Sequence, residues 1–464
     1  MSTITASYNV TPNEPTPNVS LWLSESDQVA RWSHTSTIYI YKENQTQNAL
    51  ERMRDSLSKI LVHYHPLAGR LTWLEGGKVA LNCNGKGVTL IEAESQKTMD
   101  DYGDFAPSEK LKNELIPPVD YSQPIEELPL LLVQLTRFKK GSSNNNNNNQ
   151  LGLAIGVAFC HVLCDGLAAI RFINAWAKLT RGEVLDSIEM FPFLDRTIMN
   201  STYPPRAPRF DHPELKPLPL KLGTTDTIEE QKKEKTAVIL RLTSQQVEKL
   251  KKKTNDERPQ KEGITKTLRP YSRYEVIASH IWRCASKARE LEDLQPTVVR
   301  VSADIRNRLN PPLPRNYFGN ALAVALTPKC HTKELITNPL SHGAQKIREA
   351  IELLNDEYIR SQLDFIRCHE QLDRIRASYL DQGEPKNAPF YGNPNLTIVS
   401  WMSMPVYEAD FGWGKPGYFG PGAVYPDGKA YIIRSSDEDG SLVVSAHLQT
   451  THKELFKKFF YEDI

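Results

Sequence analysis

No Cys-x-x-Cys pair, no Gly-x-Ser-x-Gly elbow and no excess of one charge occur in this chain of 464 residues. The six cysteines, Cys83, Cys160, Cys164, Cys284, Cys330 and Cys368, are scattered. That pattern suggests neither a zinc clip nor a disulfide framework and fits a reducing compartment. Without the elbow, serine-nucleophile chemistry has no anchor. Lys plus Arg number 57 against 56 Asp plus Glu, so no global field recruits nucleic acid or an anionic membrane. No run reaches the ~18 apolar residues of a membrane span, and the start, Met1 to Ser7, lacks a charged region followed by an apolar stretch. The expectation is a cytoplasmic, metal-free protein, with nothing to suggest an oligomer.

What is present describes a globular α/β or α+β protein. The length exceeds what one core usually organises, so two similar domains are expected, and strands and helices recur in similar order in both halves, which suggests related layered domains with a tunnel between them. Residues 10 to 17 read as an extended arm, and Ser36 to Tyr41, rich in β-branched and aromatic residues, as a strand. Leu50, Met53, Leu57, Ile60 and Leu61 recur at helical spacing, in a helix that should stop before Pro66. Leu130 to Phe138 and Leu151 to Phe159 form a hairpin around Gly141-Ser-Ser and six asparagines. Leu167, Ile170, Ile173 and Trp176 mark the helix that follows.

Proline and lysine dominate 203–222, which reads as a crossover between a first domain, 1–202, and a second, 223–464. In the second, strands are expected at Thr236 to Leu242, Thr297 to Ala303, Ala321 to Leu326 and Leu396 to Met404, with a long helical region at His342 to Tyr379. Tyr431 to Ile433 and Leu442 to Leu448 should pair about Asp439-Gly440, and Thr451-His-Lys-Glu454 reads as a capping box.

Chemistry centres on His161-Val-Leu-Cys-Asp165-Gly166, at a strand-to-helix junction, where side chains project toward a cleft. Imidazole titrates near neutrality, so it can take a proton from an acceptor and return it to a leaving group. The bland alternative makes Asp165 a helix N-cap and His161 a satisfied core residue. Cys160 and Cys164 flank the histidine, but such cysteines are more often small apolar fillers than nucleophiles.

A second motif, Asp410-Phe-Gly-Trp-Gly-Lys-Pro416, lies in the other domain. Together the two resemble the BAHD family of plant acyl-CoA-dependent acyltransferases. His65-Pro-Leu-Ala-Gly-Arg-Leu71, Tyr317-Phe-Gly-Asn320 and Asn393-Pro-Asn-Leu396 extend the resemblance over essentially the whole chain. It implies two chloramphenicol-acetyltransferase-like domains, mixed sheets flanked by helices, and His161 as general base in direct transfer from an acyl-CoA co-substrate, with no bound cofactor. It implies structural roles for Asp165, paired with Arg306 so that the histidine is oriented, and for Asp410 and Trp413, in a loop locking the domains. By position, CoA contacts fall on Tyr271, Ser272 and Arg273, on the stretch carrying Asp304 and Arg308, and on Ser400 and Trp401. The acyl and acceptor tunnel falls on Thr35, Thr37 and Tyr39.

Within the family, Leu81-Asn-Cys-Asn84, Ile91-Glu-Ala-Glu-Ser95, Pro389-Phe-Tyr-Gly-Asn393 and Phe460-Tyr-Glu-Asp-Ile464 look closest to spermidine hydroxycinnamoyltransferases. The implied reaction is transfer of a hydroxycinnamoyl group to a polyamine amine, and the alternatives are O-acylation of a shikimate-like, quinate-like or alkaloid alcohol, or a catalytically silent binding protein. The related shikimate and quinate enzymes carry an arginine shortly before Asn-Pro-Asn. Here the segment holds Glu384 and Lys386: the first would suit a polyamine, the second an acidic acceptor.

Overall fold

The computed structural model describes residues 2–43, 48–139, 151–199, 206–258, 269–369, 372 and 392–464. Two six-stranded mixed sheets organise it. The first runs in the order Ser2–Val10, Val88–Ser95, Leu131–Arg137, Leu151–Cys160, His34–Glu43, Tyr418–Pro421. Among the described residues its only parallel pair is Val88–Ser95 with Leu131–Arg137. The central Leu151–Cys160 strand is apolar on both faces, as a strand covered on both sides must be. Helices Ala49–His63 and Gly166–Thr180 pack together, and their apolar faces share one core with this sheet.

The second sheet runs Leu322–Leu326, Val299–Asp304, Leu396–Ser400, Lys429–Arg434, Leu442–Gln449, Lys235–Leu242. Helices Arg273–Ala288, Leu340–Leu353 and Lys453–Glu462 contribute to its core. Among the described residues, no helix is long and apolar enough to cross a membrane.

The edge strand Tyr418–Pro421 pairs antiparallel with His34–Glu43, so the chain after residue 222 lends a strand to the first sheet. Trp401, Val406, Phe411, Trp413, Phe419 and Tyr425 join the first core with it. A division at one linker does not describe this exchange.

Most elements fall where the residue pattern puts them, with these differences among others. Ser2–Val10 and Val88–Ser95 pair as strands that the reading passed over. The region expected as one helix from His342 is two, Leu340–Leu353 and Asp356–Cys368, because Asn355 adopts an extended conformation and caps the second; 370–371 and 373–379 lie outside the described residues. The strand at Leu396 ends at Ser400. The capping box does not form, since His452 occupies the N-cap of the last helix without a side-chain hydrogen bond. The asparagine run also lies outside the described residues.

Candidate active site

A cavity of about 780 Å³ opens between the two sheets. His161 lines it, directly after the Leu151–Cys160 strand. The preceding apolar run is locked in register with both neighbouring strands, Leu131 opposite Phe159 and His34 opposite Cys160. Gly156 is required in it, because a Cβ there would lie 2.0 Å from the Leu115 carbonyl oxygen. The histidine therefore leaves the sheet at a fixed point and angle.

Four residues on, Asp165 caps the Gly166–Thr180 helix, accepting from the Ala168 N–H at 3.0 Å. Its second oxygen accepts from the Ala321 N–H at 2.9 Å, and Arg306 grips both oxygens at 2.9 and 3.1 Å. Burial pushes this carboxyl up, but the Arg306 guanidinium and its hydrogen bonds outweigh that and hold it below the ordinary range. The bland reading of Asp165 as a cap is thus correct as far as it goes. The Asp165–Arg306 pair expected from the resemblance is present as well.

His161 Nδ1 lies 3.1 Å from Asn320 Oδ1. The Asn320 amide nitrogen faces three acceptors: Asp27 Oδ1 at 2.9 Å, the His161 carbonyl at 2.8 Å and the Val162 carbonyl at 3.1 Å. Only the NH2 end fits among them, so the oxygen faces the ring. Nδ1 therefore carries hydrogen, and Nε2 keeps a lone pair. Burial first, then the charges of Arg31 and Lys429, hold the imidazole below its usual value, so it is neutral at neutral pH. Burial also pushes the neighbouring thiols up, Cys160 to about 12 and Cys164 well above its ordinary value, which keeps both protonated and supports their reading as fillers.

Thr35, Thr37 and Tyr39 line the cavity as alternate residues of one strand face. Ser272, Asp304, Arg306, Arg308, Ser400 and Trp401 line it as well. Tyr271 and Arg273 do not. Because Ser272 caps the Arg273–Ala288 helix, its neighbours diverge: Tyr271 is buried between the Arg258 and Arg348 guanidiniums, and Arg273 pairs with Glu248 at 3.3 Å on the surface. Glu384 and Lys386 lie outside the described residues. Asp410 and Trp413 are absent from the cavity wall. Asp410 Oδ1 accepts from the Gly412 and Gly414 N–H groups, at 2.8 and 3.0 Å, where φ is +103° and +95°. Phe411 packs edge-on against Trp176 and Trp413 against Tyr41, fastening this loop to the first domain.

The residue reading missed Asn320 as a partner of His161, although Tyr317-Phe-Gly-Asn320 had been picked out as a motif. It also missed the cavity's basic residues Arg31, Arg269, Arg300 and Lys429. Nothing in their local sequence marks them, since they come from two loops and two strands that are far apart in the chain.

Two mixed sheets enclose a cavity with a neutral, oriented histidine and basic residues on the wall, an arrangement that suits an acyl-CoA-dependent acyltransferase. The Transferase family model matches residues 1–463. The chain is 46% identical, over the whole of both proteins, to a hydroxycinnamoyl-CoA:piscidic acid hydroxycinnamoyltransferase of Actaea racemosa. It is 37% identical to a shikimate O-hydroxycinnamoyltransferase of Nicotiana tabacum, covering 98% of each. In fold it matches vinorine synthase with a TM-score of 0.69 at 20% identity, covering 98% of this chain and 96% of that one. The chain belongs to the BAHD acyltransferases.

Proposed function

We propose that the protein transfers a hydroxycinnamoyl group from its CoA thioester to the hydroxyl of a small carboxylate-bearing acceptor. The observation that carries this is the charge around His161: Arg31 and Lys429 both line the cavity and both act on the imidazole. The buried carboxylates lining it, Asp165 and Glu275, are already held by Arg306 and Arg348. A cationic acceptor would meet like charge beside the base, whereas an acid is drawn in and oriented. The matched relatives named for piscidic acid and shikimate support the same reading. It takes the alternative of an alcohol acceptor over the polyamine that the spermidine-type resemblance implied.

In this reading His161 Nε2 takes the proton of the acceptor hydroxyl as its oxygen attacks the thioester carbonyl. The tetrahedral intermediate collapses, the C–S bond breaks, and the proton passes from His161 to the leaving thiolate. Thr35, Thr37 and Tyr39 border the reacting groups, and Ser272, Asp304, Arg308, Ser400 and Trp401 border the coenzyme. Asp165 and Arg306 shape the turn that carries the base.

Thiol release from p-coumaroyl-CoA or feruloyl-CoA, measured with piscidic acid, shikimate, quinate and spermidine, tests the assignment. Release with one or more of the hydroxy acids and not with spermidine is expected. Release with spermidine alone overturns the acceptor class, and none with any acceptor overturns the enzyme reading.

A further inference from the structure

Asp27 lies 293 residues from Asn320 and is fully buried with it. One carboxylate oxygen accepts from both the backbone N–H and the side-chain NH2 of Asn320, at 2.8 and 2.9 Å. The other accepts from the backbone N–H and hydroxyl of Ser24, at 3.0 and 2.7 Å, and faces Arg196 Nη1 at 2.9 Å. Arg196 is itself buried, and its Nη2 donates to the carbonyls of Leu163 and Phe318, on either side of the domain boundary.

This is a large polar investment at a site away from substrate, since Asp27 does not line the cavity. A buried carboxylate and guanidinium carry a desolvation cost that apolar residues would avoid, so stability alone is a weak reason for them. What they do here is directional. The carboxylate can only accept, so together with the His161 and Val162 carbonyls it holds the NH2 end of Asn320 and keeps the amide oxygen toward His161. With the amide reversed, a donor would face Nδ1, the ring would place its hydrogen on Nε2, and the base would have no lone pair toward the cavity.

We propose that Asp27, anchored by Arg196, is a positioning residue that selects the working tautomer of His161 through Asn320. This rests on His161 being the base. It makes the histidine's proton state a property of the interface between the two halves, because Asp27 and Asn320 come from opposite sides of it.

The test is a double-mutant cycle on the full-length enzyme: Asp27→Asn, Asn320→Ala and the pair, each assayed for kcat and KM across pH. Asp27→Asn should lower kcat about 10- to 100-fold, the cost known for outer partners of metal-bound histidines, and leave KM for the acyl-CoA within about 2-fold. Raising the pH should not restore the rate, because the tautomer is wrong and the protonation state is not. In the Asn320→Ala background Asp27→Asn should have no further effect on kcat. Losses that multiply, or a kcat that survives while only the melting temperature falls, overturn the proposal. Should Asp27→Asn fail to fold, Arg196→Lys takes its place in the cycle, with the same cancellation expected and independent losses overturning it. Failure of the base reading itself is distinguishable: it appears as turnover retained by His161→Ala.

Discussion

Asp165 and Arg306, 141 residues apart, close a buried ion pair at 2.9 Å across the two halves of the chain. Both groups are nearly inaccessible, at 1% and 3% of their exposed area, and Asp165 is tied as well to the first turn of a helix and to the Ala321 backbone. Its hydrogen-bonding capacity is taken up by these partners, so it takes no proton from His161. Its work is to hold the loop that aims the histidine.

Replacing Asp165 by Asn leaves Arg306 buried with one charge partner fewer, a change of about 3–5 kcal/mol for such pairs. We expect a lower melting temperature and reduced kcat; an unchanged rate and stability would make Asp165 a mere cap. Its pKa is lowered on folding, so its stabilising contribution is complete above the unfolded value of about 3.9 and is lost as pH falls toward the folded one. Urea titrations at descending pH should show that dependence weakened in Asp165→Asn.

His161→Ala should lower kcat by about 10²–10⁴-fold, the usual contribution of a general base, while the protein still folds and binds CoA. Retained turnover would remove the histidine from the mechanism.

The lowered pKa of His161 sets the acid limb of the rate profile. Because the neutral ring is the active form, kcat/KM should rise with pH through a midpoint below 6.5 and be level above it. Lys429→Met removes one of the charges that depress this pKa, so the midpoint should move up toward 6.5, and KM for an acidic acceptor should rise about 10-fold or more. A midpoint that moves down, with the acceptor KM unchanged, would separate Lys429 from the base.

The Asp410 loop should respond differently. Gly412 sits at φ +103°, where Ala is strained, so Gly412→Ala should cost about 1–3 kcal/mol in stability. At temperatures well below melting, kcat should be close to wild type. A selective loss of kcat without loss of stability would place this loop in the chemistry.

How much of this was legible beforehand follows from what kind of signal each feature leaves. The strand before His161 is a continuous apolar run, and the helix after it repeats Leu167, Ile170, Ile173 and Trp176 at helical spacing; such local periodicity needs no tertiary information. Ser2–Val10 escaped because Val10 is its one buried position and its pairing partner, Val88–Ser95, lies far along the chain; likewise Tyr418–Pro421 is four residues long and extends a sheet begun near the N-terminus. Neither carries a pattern of its own.

The amino-acid sequence by itself determined the element types around the site, the histidine at the strand end, the glycine-rich loop and the family to which the chain belongs. Only the tertiary structure decided which nitrogen of His161 is free, that Asp27 and Arg196 stand behind Asn320, that Arg31 and Lys429 share its cavity, and that Tyr271 and Arg273 face elsewhere. The physical reason is range. Periodicity and capping act within a few residues and are written locally, whereas the direction of an amide and the sign of a pocket depend on groups hundreds of residues apart that meet only when the two sheets close on each other.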